Sequence, residues 1–253
     1  MNKTVFQGRR GIVPLQHKIV TVPEYWLSMD FAGIPYLEPC YASLIKRTEK
    51  EITEEYAMEI HSRCKAGTPF KWDSKNPENS LPPTLQGVVY QITKACLDRI
   101  IRTEGGWGYD NIPVGYDVIE VDCKTSEDEI IVAKTLIARP ASVRSGCHAS
   151  ARYLNLLREG AKEFNFRREY QNYLNSLVAF DVNTTRKKIG RSIFLTLFMP
   201  HFTLIFAILR LSLKHNRRIP LSVAWLVIYV CRLSYIIHDR IWKYLFGSGW
   251  NNE

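Results

Sequence analysis

An uneven distribution of charge along the 253 residues is the feature that most constrains how this chain can fold. Residues 186–253 hold eleven Lys or Arg against two Asp or Glu, which accounts for the whole net charge of +9. The first 185 residues carry 23 groups of each sign and are neutral. We therefore expect two parts: a balanced globular part, residues 1–181, and a basic, hydrophobic helical tail, residues 182–253. A basic core that binds nucleic acid is not expected.

The tail is apolar as well as basic, and its pattern leaves three arrangements open. Residues 192–209 form an uncharged run of eighteen residues, near the lower limit for crossing a bilayer, although Pro200 and His201 interrupt it. The run 219–231 is too short to cross before Arg232 follows. The stretch RLSYIIHDRIWKYLF combines aromatic and basic residues, as helices at a membrane interface do. The tail packs on the globular part, lies on an anionic membrane surface, or crosses the membrane.

In the globular part, alternating apolar residues predict strands and helical spacing predicts helices. The predicted strands read HKIVTVP, YWLSMDF, TLQGVVYQIT, YDVIEVDC and EIIVAKTLIA. The predicted helices read KACLDRIIRTE, CHASARYLNLLREGAKEF and EYQNYLNSL; Gly105 and Gly106 end the first, and Ser150 or His148 caps the second. GIPYLEPCYASLI is predicted to be a Gly- and Pro-rich loop leading into another apolar run. Residues 46–83 are polar and charged, and the stretch KWDSKNPENSLPP within them is predicted to be a surface loop or a partly disordered insert.

The signatures of several common enzyme classes are absent from the sequence. It has no Walker A loop, no G-x-G-x-x-G, no H-E-x-x-H and no G-x-S-x-G. Its six cysteines form no C-x-x-C pair, which favours reduced thiols in a cytosolic protein and argues against a zinc site. The first residues, MNKTVFQGRR, lack the apolar run of a secretory signal. Cys147 precedes His148, but neighbours in sequence rarely pair as thiol and imidazole, so a thiol nucleophile is not expected.

One carboxylate stands where acid–base chemistry is worth considering. In IIRTEGGWGYDNIPVGYDVIEV, Glu104 lies between an apolar helical run and two glycines, and a predicted strand follows. The residues alone leave two interpretations open: a solvated charge at a helix end, or the acid–base group of an enzyme. Asp110, Asp117 and Glu120 in the same stretch are interpreted as surface charges. The tyrosines of the two later helices are expected to pack in or beside the core.

Three segments in order carry a resemblance to a known family. They read VFQGRRGIVPLQHKIVTVPEYWLSMDFAGIPYLEPCYASL, LQGVVYQITKACLDRIIRTEGGWGYDNIPVGYDVIEV and ASARYLNLLREGAKEFNFRREYQNYL. In this order they closely resemble the gamma-glutamylcyclotransferase superfamily, and within it the fungal gliotoxin-cluster-like branch, which also has a basic, hydrophobic extension. The resemblance covers Val5 to Leu177 well and the tail loosely. It implies an α+β fold, with a small mixed sheet curved toward a barrel and helices packed around it.

The resemblance implies an enzyme that cuts a gamma-glutamyl amide of a small molecule, glutathione or a glutathione conjugate, without water, metal or organic cofactor. The α-amino group of the substrate attacks its own γ-carbonyl, and 5-oxoproline and the freed amine leave. Glu104 aligns with the catalytic glutamate of the family. Gly105 and Gly106 would let the substrate approach the backbone, and Tyr109 would hold it. For Tyr109, packing of the turn is the alternative.

The sequence departs from the family in one respect. Family members begin with a strand that ends in a Tyr-Gly-Ser-Asn loop, whose N–H groups bind the gamma-glutamyl group, and the 253 residues do not contain this motif. The globular part is therefore expected to be N-terminally truncated relative to the family. Either the sequence starts late, or the chain is a degenerate member that binds a small ligand or a membrane without turnover. We expect a cytoplasmic protein, with membrane association through the tail left open.

Overall fold

The computed structural model describes residues 11–48, 51–103, 112–214 and 221–253, and the chain has an α+β fold. Its six strands are β1 Gln16–Val22, β2 Tyr25–Ile34, β3 Glu38–Lys46, β4 Leu85–Gln91, β5 Tyr116–Thr125 and β6 Ile130–Ala138. Its helices are α1 Glu54–Cys64, α2 Lys94–Thr103, α3 Ala151–Glu163, α4 Arg168–Ser176, α5 Thr185–Lys214, α6 Leu221–Ile237 and α7 Lys243–Phe246. The predicted class is confirmed.

The strands form a four-stranded sheet in the order β4-β1-β5-β6 and a separate two-stranded sheet of β2 and β3. β1 pairs with β4 along its length, with Val20 opposite Gly87, but it pairs with β5 only at Val20 and Thr21. The four-stranded sheet curls, so that one face of all four strands surrounds a cavity. The resemblance implies a mixed sheet, whereas every strand pair in the described ranges is antiparallel.

The segment 46–83 is more ordered than its composition predicts. It contains α1, which is capped by the Thr53 hydroxyl accepting from the Tyr56 N–H. The inner face of α1 buries Ile60 and Cys64 against Trp26 of β2. The sequence pattern did not predict this helix, because its few apolar positions lie within a charged stretch; they are nevertheless enough to dock a helix on a sheet.

The hairpin of β2 and β3 was also only partly predicted. GIPYLEPCYASLI was expected to be a loop, but β2 runs to Ile34 and β3 begins at Glu38, so only three residues turn the chain. Tyr36 lies in this turn with a positive φ of 64°. Its backbone conformation is uncommon for a residue with a side chain, and contacts from the far end of the chain hold it there, as described below.

Helices α3 and α4 cover the main core. The Ser150 hydroxyl accepts from the Tyr153 N–H at 3.1 Å, so Ser150 is the cap of α3 and His148 is not. Tyr170 and Tyr173 are buried, and Tyr173 donates to the carbonyl of Cys64 at 3.0 Å. The expectation that these tyrosines pack in the core is confirmed.

The tail forms a helical hairpin whose inner face packs on the globular part. Phe194, Phe198 and Phe202 of α5 are buried in one cluster with Tyr36 and Phe180. The two arms lie side by side, since the Trp242 indole N–H donates to the Gly190 carbonyl at 3.1 Å.

The second arm of the tail is longer than its sequence suggests. The segment Leu221–Phe246 is one helical stretch of 26 residues, because α6 continues past Arg232 through a π turn into α7. An 18-residue window within it has a mean hydropathy of 1.6, and by length and composition alone the helix could cross a membrane. The expectation that the run 219–231 is too short was wrong, because a single arginine does not end a helix.

The C-terminal residues return to the first hairpin. The Tyr36 N–H donates to the Gly249 carbonyl at 2.8 Å and the Tyr36 hydroxyl to the Gly247 carbonyl at 2.5 Å. A Cβ atom at Gly249 would lie 2.6 Å from the Tyr36 ring, so only glycine fits there. The Trp250 side chain is buried in the main core. We call Gly247, Ser248, Gly249 and Trp250 the C-terminal clasp.

A buried polar network fixes the clasp. The Asp239 carboxylate accepts from Arg144 at 2.8 Å and from the Trp250 indole at 3.0 Å. It also lies 2.8 Å from Nδ1 of His238, while Nε2 of His238 accepts from the Gly249 N–H at 2.8 Å. His238 is fully buried and uses Nε2 as an acceptor, so this geometry requires the neutral imidazole with its proton on Nδ1.

The clasp should weaken in mild acid. Burial lowers the pKa of His238; Arg144 and Lys243 act in the same direction, and Asp239 opposes them. The pKa of His238 in the folded chain lies below its unfolded value of about 6.5. At a pH between these two pKa values the unfolded chain therefore binds more protons than the folded chain. The stabilisation that is present above about pH 6.5 is lost as pH falls through the folded pKa. We expect the Tm to decrease from about pH 7.5 to about pH 5.5.

The matched variant is His238→Gln, whose amide does not titrate. Its Tm should be lower than that of the parent chain at neutral pH but should change less with pH. Some pH dependence should remain, because burial also lowers the pKa of His148. Equal slopes of Tm against pH for the two proteins would contradict the assignment.

Candidate active site

The concave face of the four-stranded sheet encloses a cavity of about 690 Å³. All four strands contribute to its wall, among them through Val20, Val89, Val121 and Ala133. Its described lining is predominantly aliphatic. A cavity of this size and character is typical of a site for a small organic molecule.

Helix α2 closes part of this cavity. Leu97, Ile100 and Ile101 contribute side chains to the lining, whereas Asp98 on the same helix is exposed and does not. The spacing of these three residues gives α2 one apolar face, and β4 leads directly into the helix. The described lining contains no Asp or Glu. Any carboxylate that acts in the cavity must therefore come from another part of the chain.

Charged and aromatic groups surround the apolar interior. Lys18 and Lys134 line the cavity, and their ammonium groups lie 2.6 Å from Glu129 and 3.5 Å from Glu120, respectively. All four groups are about half exposed, so the pairs lie at the rim and contribute little to stability.

A cluster of three aromatic rings lies at one side of the sheet. The His17 ring contacts the Phe164 ring at 5.4 Å in an edge-on arrangement, and it lies 6.3 Å from the Tyr90 ring. Burial and then the nearby Glu163 raise the pKa of Tyr90 to about 12, so its hydroxyl is a hydrogen-bond donor at neutral pH. His17 and Tyr90 belong to the cavity lining.

Ile112 is the first described residue after the segment 104–111, and several hydrogen bonds fix the backbone near it. The Arg139 guanidinium donates to the Ile112 carbonyl and binds the Asp117 carboxylate at 2.7 Å. The Gly115 N–H donates to the Ser142 hydroxyl at 2.8 Å. Ile112 and Gly115 are therefore held by hydrogen bonds to residues at and after the end of β6.

The tail also contacts this anchor. The Ile112 side chain is fully buried and packs with Ala224 and Ile228 of α6, with Val114 at the edge. The tail thus contributes to the packing that holds Ile112. Sequence reasoning missed Arg139 and these two α6 residues, because their partners are distant in the chain and no local pattern links them.

The residues predicted to act on the substrate are Glu104, Gly105, Gly106 and Tyr109, and all four lie outside the described residues, as does Asp110. Of the described elements that flank them in sequence, α2 lines the cavity, whereas Ile112 packs on α6. Asp117 and Glu120 lie on β5, paired with Arg139 and Lys134, and neither lines the cavity. Their interpretation as surface charges agrees with the structure.

Cys147 is unsuited to nucleophilic chemistry. It is buried, and burial raises its pKa to about 12 despite the opposing effect of Arg144. Its thiol is therefore protonated at neutral pH, and thiols are poor nucleophiles in that form. Within the described ranges, no three His, Cys, Asp or Glu side chains come together as a metal site requires.

The chain is similar to several known proteins. A family model described as the AclK C-terminal domain matches residues 184–245. "Gamma-glutamyl cyclotransferase gliK" of Aspergillus fumigatus is 28% identical over 242 residues, which are 95% of this chain and 82% of that protein. "Gamma-glutamyl cyclotransferase aclK" of Aspergillus oryzae is 24% identical over 259 residues, covering 98% and 86%. A solved structure described as a gamma-glutamyl cyclotransferase superposes with a TM-score of 0.49 at 15% identity, covering 73% and 86%.

The sequence similarities extend across both the globular part and the tail. The family model adds a separate match that lies within the tail. The resemblance inferred from the order of motifs is confirmed: over most of its length the chain is similar to the gamma-glutamyl cyclotransferases gliK and aclK, and its tail matches the AclK C-terminal domain.

Proposed function

We propose that this chain is a gamma-glutamyl cyclotransferase that releases 5-oxoproline from glutathione or a glutathione conjugate, with Glu104 as its general acid and base. The observation that carries the proposal is the apolar cavity, whose described lining has no carboxylate and which α2 closes with Ile100 and Ile101. Glu104 is the next carboxylate along the chain. Covalent geometry alone keeps its Cα atom within about 11 Å of that of Ile101, because consecutive Cα atoms are about 3.8 Å apart.

The chemistry makes limited demands on the protein. The substrate's amino group must be neutral to attack the γ-carbonyl, so a base has to remove its proton. The same group can then return that proton to the leaving amine, and one carboxylate serves both steps if partial burial raises its pKa toward neutrality. Because the attack is intramolecular, holding the substrate in a ring-like conformation supplies much of the rate enhancement. The apolar wall described above supports both requirements, since it excludes water and restricts the substrate.

The tetrahedral intermediate needs hydrogen-bond donors for its negative oxygen. In the proposed site Gly105 and Gly106 allow the substrate to approach the backbone, and Tyr109 holds the substrate. No metal or organic cofactor takes part in the proposed reaction. The alternative is a member of the family that binds a small ligand in the same cavity without turning it over, and the assay described next distinguishes the two.

Replacing Glu104 with Gln should nearly abolish 5-oxoproline release. The amide keeps the shape of the side chain but cannot accept and return a proton, so a loss of about 10²- to 10⁴-fold in kcat is expected. Release of 5-oxoproline from glutathione and from an S-conjugate of glutathione is measured by mass spectrometry. Glu55→Gln on the exposed face of α1 is the matched control and should keep full activity.

Turnover that survives the Glu104 substitution would overturn the residue assignment. Binding of the substrate without turnover by the unaltered chain would instead support the alternative of a non-catalytic member. Adding a strand that ends in Tyr-Gly-Ser-Asn before Met1 and repeating the assay separates that alternative from a missing segment.

Replacing Tyr109 with Phe should weaken substrate binding. Loss of one hydroxyl hydrogen bond corresponds to about 0.5–1.5 kcal/mol, or a roughly two- to tenfold higher KM, with little change in kcat. Steady-state kinetics with glutathione measure both constants. If Tyr109 only packs the turn, the variant will keep its KM, because Phe preserves the ring.

A second proposal concerns where the enzyme works. We propose a cytoplasmic protein whose tail binds an anionic membrane surface. The support is the charge of residues 186–253, with eleven Lys or Arg against two Asp or Glu, next to helices with large exposed apolar side chains. Basic residues near an anionic leaflet each contribute about 1 kcal/mol.

The full chain should sediment with vesicles of phosphatidylcholine and phosphatidylserine but less with phosphatidylcholine alone. Raising the salt from about 0.05 M to about 0.5 M should release part of the bound protein, because it screens the lysines and arginines. A chain that stays in the supernatant with anionic vesicles at low salt would contradict membrane binding and leave the proposed enzyme activity untouched.

A further inference from the structure

The outer face of the tail is apolar. In the described ranges 21 large apolar side chains are exposed, and fourteen of them belong to α5, α6 and the turns that follow α6. They are Ile189, Ile193, Leu197, Leu204, Leu211, Leu221, Trp225, Leu226, Tyr229, Leu233, Ile236, Ile241, Tyr244 and Leu245. We call this surface the outer stripe.

The outer stripe follows the helical repeat. On α5 its members are separated by four or seven residues, as on one face of a helix. The opposite face of α5 buries Phe194, Phe198 and Phe202, and the opposite face of α6 buries Ala224 and Ile228. A helix of a water-soluble protein normally places charged residues opposite its buried face. Both arms of this hairpin are apolar on two faces, so the second face requires a partner of its own.

The charges around the stripe indicate which partner. Arg186, Lys188, Arg191, Arg232 and Arg240 lie on the same helical segments. The one acidic residue in the described part of these segments is Asp239, and Arg144 binds it from the globular part. A broad apolar stripe that shares its helices with several basic residues is complementary to an anionic lipid leaflet.

Both ends of the hairpin are fixed to the same side of the globular part. At the end that leads into α5, the Asp181 N–H donates to the Asn252 side chain at 2.8 Å, and Asn252 donates to the Ala179 carbonyl at 2.9 Å. The Lys187 ammonium group donates to the Asn251 carbonyl at 2.9 Å. The C-terminal clasp holds the other end on Tyr36. If α6 alone crossed a membrane, the start of α5 and the C-terminal clasp would lie on opposite sides of it. The hydrogen bonds at the two ends of the hairpin are incompatible with that arrangement.

The middle of the hairpin is attached as well. Ala224 lies in the first turn of α6, next to the connection between the two arms, and it packs on Ile112 together with Ile228. A bilayer core is about 30 Å thick. An α6 attached from Ala224 to His238 has no free length with which to cross it, either once or as a two-pass hairpin.

We infer that α5, α6 and α7 lie flat on an anionic membrane leaflet, with the outer stripe inserted at the level of the headgroups and the globular part on the cytoplasmic side. The inference rests on the proposed membrane association and specifies its surface and its mode. The segment Leu221–Phe246, although long enough to span, is an interfacial helix in this arrangement. Its inner face stays on the protein and its outer face meets lipid.

Vesicle binding of outer-stripe variants tests the surface. Leu204 and Tyr229 are 61% and 65% exposed, and Ile130 at the distant end of β6 is 68% exposed. The double substitution L204S/Y229S should weaken partitioning into phosphatidylcholine–phosphatidylserine vesicles at least about tenfold, because two large apolar side chains no longer enter the membrane. I130S is the matched control and should bind like the unaltered chain. If the unaltered chain binds and the double variant binds equally well, the inferred surface is wrong while membrane association stands.

Depth measurements test the mode. Trp225 belongs to the outer stripe, and its fluorescence should be quenched more by lipids brominated near the headgroup than by lipids brominated near the chain end, with Trp225→Phe removing the difference. A thiol introduced as N216C should react from outside with a membrane-impermeant reagent, as peptide mapping resolves. Deep quenching together with protection of that thiol would mean that the hairpin crosses the bilayer, and would overturn the inference. Failure of the unaltered chain to bind at all would reject both the association and the inferred mode, without touching the enzyme activity.

Discussion

The contact between Tyr36 and the C-terminal clasp is the interaction on which much of this structure depends. It joins the first hairpin to residues more than 200 positions later, through two hydrogen bonds from one tyrosine. Because His238 and Trp250 are buried beside it, losing one of their partners would leave a polar group without a hydrogen bond in the interior, which typically costs about 1–3 kcal/mol per group. The hairpin of the tail is therefore part of the folded unit at both ends.

The second constraint is an apolar cavity whose described lining contains no Asp or Glu. Four strands and α2 bury aliphatic side chains around it, and its lysines point their charges to paired carboxylates at the rim. Such a wall suits a small organic molecule, but its described residues offer no carboxylate. The proposed chemistry thus depends on the short segment between α2 and Ile112. The elements on both sides of that segment are well defined, and α6 is one of the groups that hold its far end.

The sequence predicted most of the strands and helices because each has a clear local pattern. TLQGVVYQIT and EIIVAKTLIA became β4 and β6, and Ser150 caps α3 as one of the two proposed residues. It failed for α1, whose few apolar positions are hidden in a charged stretch, and for the length of α6. Glu104 was proposed by resemblance: a carboxylate beside two glycines has no distinguishing local pattern. The clasp and the Arg139 anchor could not be predicted, because both join residues that only the fold brings together.

The tail illustrates why composition leaves its role open. A run of apolar residues predicts burial but does not say whether protein or lipid provides it, and here the two faces of the same helices differ in this respect. The inner face has a protein partner throughout, from Phe194 to Phe202 on α5 and from Ala224 to His238 on α6. The outer face has none in the described structure, so exposing it to water leaves a large apolar surface uncovered. Since α6 packs on Ile112 with its inner face, a leaflet on its outer face would lie one helix diameter, about 10 Å, from the anchor of the proposed catalytic segment. The proposed membrane-binding surface and the packing of Ile112, the first described residue after the proposed catalytic segment, therefore share α6.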